Sequence, residues 1–301
     1  MKTLVVLLGP TAVGKTELSL DIAERLGSPI INCDSRQLYK GMKVGTAAPT
    51  EEQQARVKHY FVSTLELEDY YSAAKYEEEV LKLTTELFET HNSLLLTGGS
   101  MMYIDAVCNG IDEIPTIDEN VRGTLKARFQ EEGLDQLLEE LKMHDPYCYE
   151  RIDRKNHKRV IHALEVYYTT GKAYSAFLTG NVHIRSFRTI KIGLQRPREE
   201  LFQRINARVD QMMVDGLYDE ALSLLDKRDL NALNTVGYKE MFKVIDGEWP
   251  MDMAVERIKK NTRVYAKKQM TWFMHDSDIQ WFHPDEKDKI LDYINYECQK
   301  V

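Results

Sequence analysis

Cysteine is scarce and unpatterned in this 301-residue chain. Cys33, Cys108, Cys148 and Cys298 show no C-x-x-C spacing, which excludes a cysteine zinc site and a disulfide framework and points to reduced thiols. No apolar run approaches the roughly 20 residues of a membrane span. The first strand signal begins at Leu4, leaving no room for a leader segment, so a cytoplasmic protein without a membrane partner is expected. Positive charge is in the minority, 40 Lys and Arg against 48 Asp and Glu for a net charge of −8, which argues against a surface wholly devoted to a polyanion. Internal repeats and low-complexity tracts are missing too. What remains is an ordinary globular composition, 43% hydrophobic and 29% charged, in a chain long enough for one large domain with an insertion or for two domains.

Residues Gly9-Pro10-Thr11-Ala12-Val13-Gly14-Lys15-Thr16 match the phosphate-cradling pattern G-x-x-x-x-G-K-[ST]. The flanks suit it: Leu4–Leu8 reads as a buried parallel strand and Glu17–Leu26 has helical periodicity. The glycines let backbone N–H groups close around an anion at a helix N-terminus, Lys15 neutralises phosphate oxygens, and the Thr16 hydroxyl is placed to hold Mg²⁺. A di- or triphosphate ligand follows. Its fate does not, and phosphoryl transfer to a small metabolite is the default chemistry for such a loop.

Further strands are expected at Pro29–Cys33, Tyr60–Val62, Ser93–Thr97, Thr189–Leu194 and, as an edge, Ile279–Phe282. Helical patterns run from Ser72 to about His91, around Met101–Asn109, from Arg198 to about Lys227, and over Gly237–Asp246 and Met251–Phe273. Residues 114–186 show helices only, over Val121–Glu132, Leu134–Met143 and His157–Thr169, punctuated by Pro115, Gly133, Pro146 and Gly171. The fold class is therefore α/β: a phosphate-loop NTPase-like parallel sheet flanked by helices, residues 1–113 and 187–301, with an all-helical insertion domain at 114–186. Asp34 and Ser100, just past strand ends, should both face the phosphate loop.

Charge is locally uneven. Arg151–Arg159 carries five positive charges against one negative. Lys259, Lys260, Arg263, Lys267 and Lys268 form a second cluster on a helix where Val255, Ile258, Thr262 and Tyr265 mark the apolar stripe, leaving Lys260, Arg263 and Lys267 on one solvated face. Two such clusters in an acidic chain point to a nucleic acid held through its phosphates.

Beyond the loop, the chain carries Asp34-Ser35-Arg36-Gln37-Leu38-Tyr39, Gly45-Thr46-Ala47-Ala48-Pro49, Asp69-Tyr70-Tyr71-Ser72, Gly98-Gly99-Ser100-Met101-Met102-Tyr103, Lys158–Glu165, Val236-Gly237-Tyr238-Lys239-Glu240 and Thr262–Phe273. In this order, spanning nearly the whole chain, these blocks resemble the tRNA dimethylallyltransferases, also called tRNA isopentenyltransferases. The resemblance implies transfer of a dimethylallyl group from dimethylallyl diphosphate to N6 of the adenosine 3′-adjacent to the anticodon, with diphosphate released. It implies Asp34 as general base, Thr11 near the bridging oxygen and Arg208 across the site, with Arg204 one turn away as the other candidate. It implies tRNA contacts at Asp34, Ser35, Arg36, Gln37, Ser100 and Arg122 and along Lys158, Arg159, Val160, Ile161 and His162. Ser100, Lys158 and His162 stand where threonine, glutamine and arginine are usual in the family. With no paired cysteines or histidines of a zinc finger, a bacterial-type enzyme acting as a monomer is expected, and whether ATP also enters the loop stays open. Three other readings remain open on the residues alone: a small-metabolite kinase, an isopentenyltransferase of free adenylate, and an RNA-binding ATPase-like switch.

Overall fold

The computed structural model describes residues 1–112, 114–115, 117–180 and 183–300. In chain order the elements are β1 (Thr3–Leu8), α1 (Lys15–Leu26), β2 (Ile30–Cys33), α2 (Glu51–Arg56), β3 (His59–Tyr60), α3 (Ala73–Leu87), β4 (Ser93–Gly98), α4 (Met101–Asn109), α5 (Glu119–His144), α6 (Pro146–Arg151), α7 (His157–Thr170), β5 (Arg188–Leu194), α8 (Arg198–Val214), α9 (Leu217–Ser223), α10 (Tyr238–Ile245), α11 (Met251–Phe273), β6 (Ile279–Phe282) and α12 (Lys287–Gln299). They divide into two compact units, Met1–Asn109 with Ile184–Val301, and Gly110–His183. The expected domain boundaries were 113/114 and 186/187, and Glu113 and Val301 themselves lie outside the described residues.

In the first unit six parallel strands form one sheet in the order β3-β2-β4-β1-β5-β6. β1 is apolar and buried throughout, as a strand covered on both faces must be. Its period-2 alternation sends Leu4, Val6 and Leu8 into one core, shared with α3, α4 and α9–α11, and Val5 and Leu7 into the other, shared with α1 and α12. Register brings Leu8 beside Gly98 and Gly98 beside Cys33, so the phosphate loop, Asp34 and Ser100 all leave the sheet at its carboxyl edge. A Cβ on Gly98 would lie 1.9 Å from the Cys33 carbonyl oxygen, which is why glycine stands there.

Several elements differ from expectation for identifiable reasons. β3 stops at Tyr60 because Phe61 is left-handed, at φ 62°, and its carbonyl accepts from Asn32 Nδ2. The helix expected to run to Lys227 breaks at Gly216, φ 95°, and resumes as α9. α2, α6 and α12 were unforeseen; α12 packs Ile290 and Ile294 into the core.

The second unit packs Leu125, Leu137, Leu141, Cys148, Val160, Ile161, Ala163 and Leu164 around its own core. Gly133, at φ 83° and ψ −178°, interrupts α5 and produces the two expected helical runs. Asp145 is 2% exposed and joins α6 to the segment at Ser175, accepting from the amides of Cys148 and Ser175 and the Ser175 hydroxyl. Among the described residues, no helix is long and apolar enough to cross a membrane.

Candidate active site

The shape of the phosphate loop is set by its glycines and by the cations that hold its carbonyls. Gly9 sits at φ 149°, where a Cβ would meet the Leu194 carbonyl oxygen at 2.8 Å, and Gly14, at φ 116°, turns the chain into α1. The loop carbonyls are engaged by cations: Lys15 Nζ donates to those of Gly9 and Pro10, both at 2.9 Å, Arg204 Nε to Ala12 at 2.9 Å, and Arg196 Nε to Val13 at 2.9 Å. Arg196 is itself fixed by Asp285 at 2.9 Å and by Glu200. The first residues of α1, whose amides have no partner within the helix, line a cavity of about 870 Å³ together with Gly14, Asp34 and Arg208. An anion is what such a wall accommodates.

Its charges are crowded. Burial, then the Arg208 charge, lower Lys15 to about 7 against the opposing pull of Asp34. Arg208 is held below its ordinary value mainly by burial, with Asp34 opposing and Arg204 adding to the effect. Arg208 Nη1 donates to Thr11 Oγ1 at 3.2 Å and Nη2 to the Thr46 carbonyl at 3.5 Å, whereas Arg204 Nε donates to the Ala12 carbonyl. Among the described residues no cluster of three His, Cys, Asp or Glu side chains could hold a metal. A cation here would therefore rest on Thr16 and on oxygens of the anion, a donor set that suits Mg²⁺.

Asp34 follows β2. Its Oδ1 accepts from the amides of Arg36 at 2.9 Å and Gln37 at 3.4 Å, which sets the turn and leaves Oδ2 without a protein donor among the described residues. Ser100 Oγ accepts from the Ser35 amide at 2.8 Å. Arg36 Nη1 donates to the carbonyls of Asn231 and Ala232, and Gln37 Nε2 to those of Thr46 and Ala47. The loop carrying Thr46 is itself pinned by Glu220, which accepts from the amides of Lys43, Val44 and Gly45, each at 2.8 Å, and from the Tyr238 hydroxyl at 2.6 Å.

A second cavity, about 430 Å³, has Ile205, Val209, Met212 and Ile258 in its wall. It shares Thr11, Asp34, Thr46, Arg208 and Tyr265 with the first, so the carboxylate, the hydroxyl and the buried guanidinium stand where the two meet. Tyr265 is thus a cavity residue, 39% exposed, and not part of the apolar stripe to which its spacing assigned it. The buried line of α11 is Ala254, Ile258, Ala266, Gln269 and Phe273. Burial, then the Asp34 charge, keep the Tyr265 phenol above its ordinary value, with Arg36 opposing.

The remaining expected residues are dispersed. In the second unit Arg122 pairs with Glu119 at 2.7 Å and Glu165 at 3.4 Å, and His162 Nδ1 lies 3.3 Å from Glu165. Lys158 and Arg159 are exposed, while Val160 and Ile161 point into the unit's core. Arg151 stacks on Tyr147 at 4.0 Å. On α11 the expected face of three free cations is uneven: Lys260 and Lys267 are exposed, but Arg263 is half-buried and donates to Asn206. Lys259 is committed to Asp210 at 2.7 Å and Glu256 at 3.3 Å. Gln269, Glu220 and Arg196 were not singled out as site residues, though a glutamine on a buried helix line was a visible signal.

The family model described as IPP transferase matches residues 37–276. The chain is 59% identical over 293 residues to a tRNA dimethylallyltransferase of Bacteroides fragilis, covering 97% of each. Its fold matches a solved full-length tRNA isopentenylpyrophosphate transferase from Bacillus halodurans with a TM-score of 0.72 at 33% identity, covering 100% of this chain and 98% of that one. A solved eukaryotic dimethylallyltransferase acting on tRNA shares the fold, TM-score 0.82 at 22% identity, over 98% of this chain and 80% of that one.

Proposed function

Because the chain belongs to the IPP transferase family, the tRNA dimethylallyltransferases, we propose that it moves the dimethylallyl group of dimethylallyl diphosphate onto N6 of the tRNA adenosine 3′-adjacent to the anticodon. The observation that carries this reading is the junction of two cavities at Asp34, Thr11 and Arg208, one walled by the phosphate loop and the other partly by apolar side chains.

The diphosphate belongs in the loop cavity, against the first amides of α1, with Lys15 and Arg208 supplying positive charge. Thr16 would hold a Mg²⁺ ion, which would supply further charge neutralisation there. Thr11 Oγ1 accepts from Arg208, so its own proton is directed to another acceptor, the oxygen bridging phosphorus and the allylic carbon. As the C–O bond breaks, its electron pair leaves with diphosphate; the N6 lone pair forms the C–N bond, and an N6 proton passes to Asp34. The target base, unstacked from its loop, enters by the second cavity, whose apolar wall suits a carbon of cationic character. The exposed cations of α7 and α11 supply phosphate contacts. The same reading takes the protein to act as a monomer in the cytoplasm, where its acceptor is found.

The test is to incubate the protein with dimethylallyl diphosphate, Mg²⁺ and unmodified tRNA, digest the RNA and search by mass spectrometry for N6-isopentenyladenosine. The modified nucleoside should require the diphosphate and disappear in Asp34→Ala. Consumption of ATP with a small acceptor, and no modified nucleoside, would favour the kinase reading instead.

A further inference from the structure

Gln269 is the α11 side chain that reaches the phosphate loop. It is 2% exposed, and both ends of its amide are used: Oε1 accepts from the Thr11 amide at 2.9 Å, and Nε2 donates to the Gly99 carbonyl at 2.8 Å. One donor and one acceptor opposite leave a single orientation for the group. The fit leaves no slack on the strand side, since a Cβ at Gly99 would stand 2.4 Å from Nε2. The Thr11 amide is thereby committed to a side-chain acceptor, in a motif whose amides ordinarily serve the anion. The same residue's hydroxyl is held by Arg208 at 3.2 Å. Thr11 is thus gripped at its backbone by α11 and at its side chain by α8, and four residues before Gln269 the same helix places Tyr265 in the wall of both cavities.

We propose that Gln269 is a positioning residue for group transfer: by tying the Thr11 amide to the Gly99 carbonyl it aims the Thr11 hydroxyl at the oxygen that departs with diphosphate. This rests on the transferase reading above. A glutamine acting in this way affects the bond-breaking step more than donor binding, because Lys15, Arg208 and the α1 amides hold the diphosphate without it. Displacing a hydrogen-bonding group by about 1 Å costs on the order of a hundredfold in rate, whereas a merely structural glutamine would lower thermal stability and leave the rate of the folded fraction alone.

The experiment is single-turnover transfer to unmodified tRNA at increasing dimethylallyl diphosphate, giving a rate constant and a half-saturating donor concentration. Gln269→Leu should lower the rate constant roughly ten- to a hundredfold while the half-saturating concentration moves less than about threefold. In a Thr11→Val background the same change should cost less than about threefold, since the group it orients is gone. Gln269→Glu, which keeps the size and the acceptor for the Thr11 amide, should retain more of the rate than Gln269→Leu; if the leucine variant does not fold, Gln269→Glu alone and with Thr11→Val carries the test. A Gln269→Leu rate equal to wild type, a loss in rate matched by an equal loss in half-saturation, an undiminished penalty in the Thr11→Val background, or a glutamate variant no faster than the leucine one overturns the proposal. Wild-type protein that modifies no tRNA overturns the reading beneath it, so the two failures are distinguishable.

Discussion

The guanidinium of Arg208, on α8, donates to the hydroxyl of Thr11 in the phosphate loop at 3.2 Å, joining residues 197 apart in the chain. Arg204, one turn earlier on the same helix, lines the loop cavity and donates to the Ala12 carbonyl. Arg208→Lys gives up the planar fork that spans Thr11 and Thr46 and should lower kcat/KM about a hundredfold, with Arg204→Lys costing less than about tenfold. Steady-state kinetics on the two variants decides the ranking.

Asp34→Asn keeps an oxygen for the amides of Arg36 and Gln37, so the turn survives while the proton acceptor is lost. Turnover should fall about a hundred- to ten-thousandfold with the melting temperature unchanged. A parallel loss of thermal stability in calorimetry would assign the carboxylate to the fold instead.

Lys15 gives the pH dependence its sign. In the fold it loses its proton near 7, against an ordinary value of 10.5. Above that point diphosphate binding must take up a proton, so donor affinity should weaken as pH rises, by up to about tenfold per unit, and the trend should vanish in Lys15→Met. Stability runs the other way. The unfolded chain binds the extra proton between about 7 and 10.5, so this group's contribution to stability grows with pH across that window. Donor titrations by calorimetry at pH 6 to 9 measure the first effect, and denaturant titrations the second.

Glu220 holds three successive amides and the Tyr238 hydroxyl. Glu220→Ala leaves these donors without their acceptor and should cost about 2–3 kcal/mol in denaturant unfolding, with Glu220→Gln milder. Donor KM should rise as well, because Thr46 loses its anchor and its carbonyl is the second contact of Arg208.

Gly98→Ala should abolish soluble expression. The added methyl group would overlap the backbone carbonyl oxygen of Cys33 at 1.9 Å, where neither strand can yield without breaking the pairing of β2 and β4.

How far the molecule was legible beforehand depended on the range of each signal. The loop from Gly9 to Thr16 and the apolar β1 are local patterns, and the structure sets the loop between β1 and α1 as its flanks implied. Asp34 was legible as a residue just past a strand end. Tyr265 was misread because the apolar wall of a cavity and the edge of a core produce the same helical spacing; only tertiary structure separates them. α2 buries no residue and is held by its Thr50–Gln53 capping box, so hydrophobic periodicity had nothing to detect. α12 shows only Ile290 and Ile294 as fully buried positions, too few to stand out among its charges. Gln269 lay in a recognised block, but its grip on Thr11 spans 258 residues and no local rule reaches that far.

That span has a consequence for the order in which the protein is made. The phosphate loop leaves the ribosome well before the side chains that restrain it, since Arg196, Arg204 and Gln269 are translated 183, 192 and 258 residues after the loop positions they hold. A nascent chain therefore carries the motif long before it carries the site, and diphosphate affinity should arise abruptly, only once α11 has emerged and docked and the loop acquires its final shape.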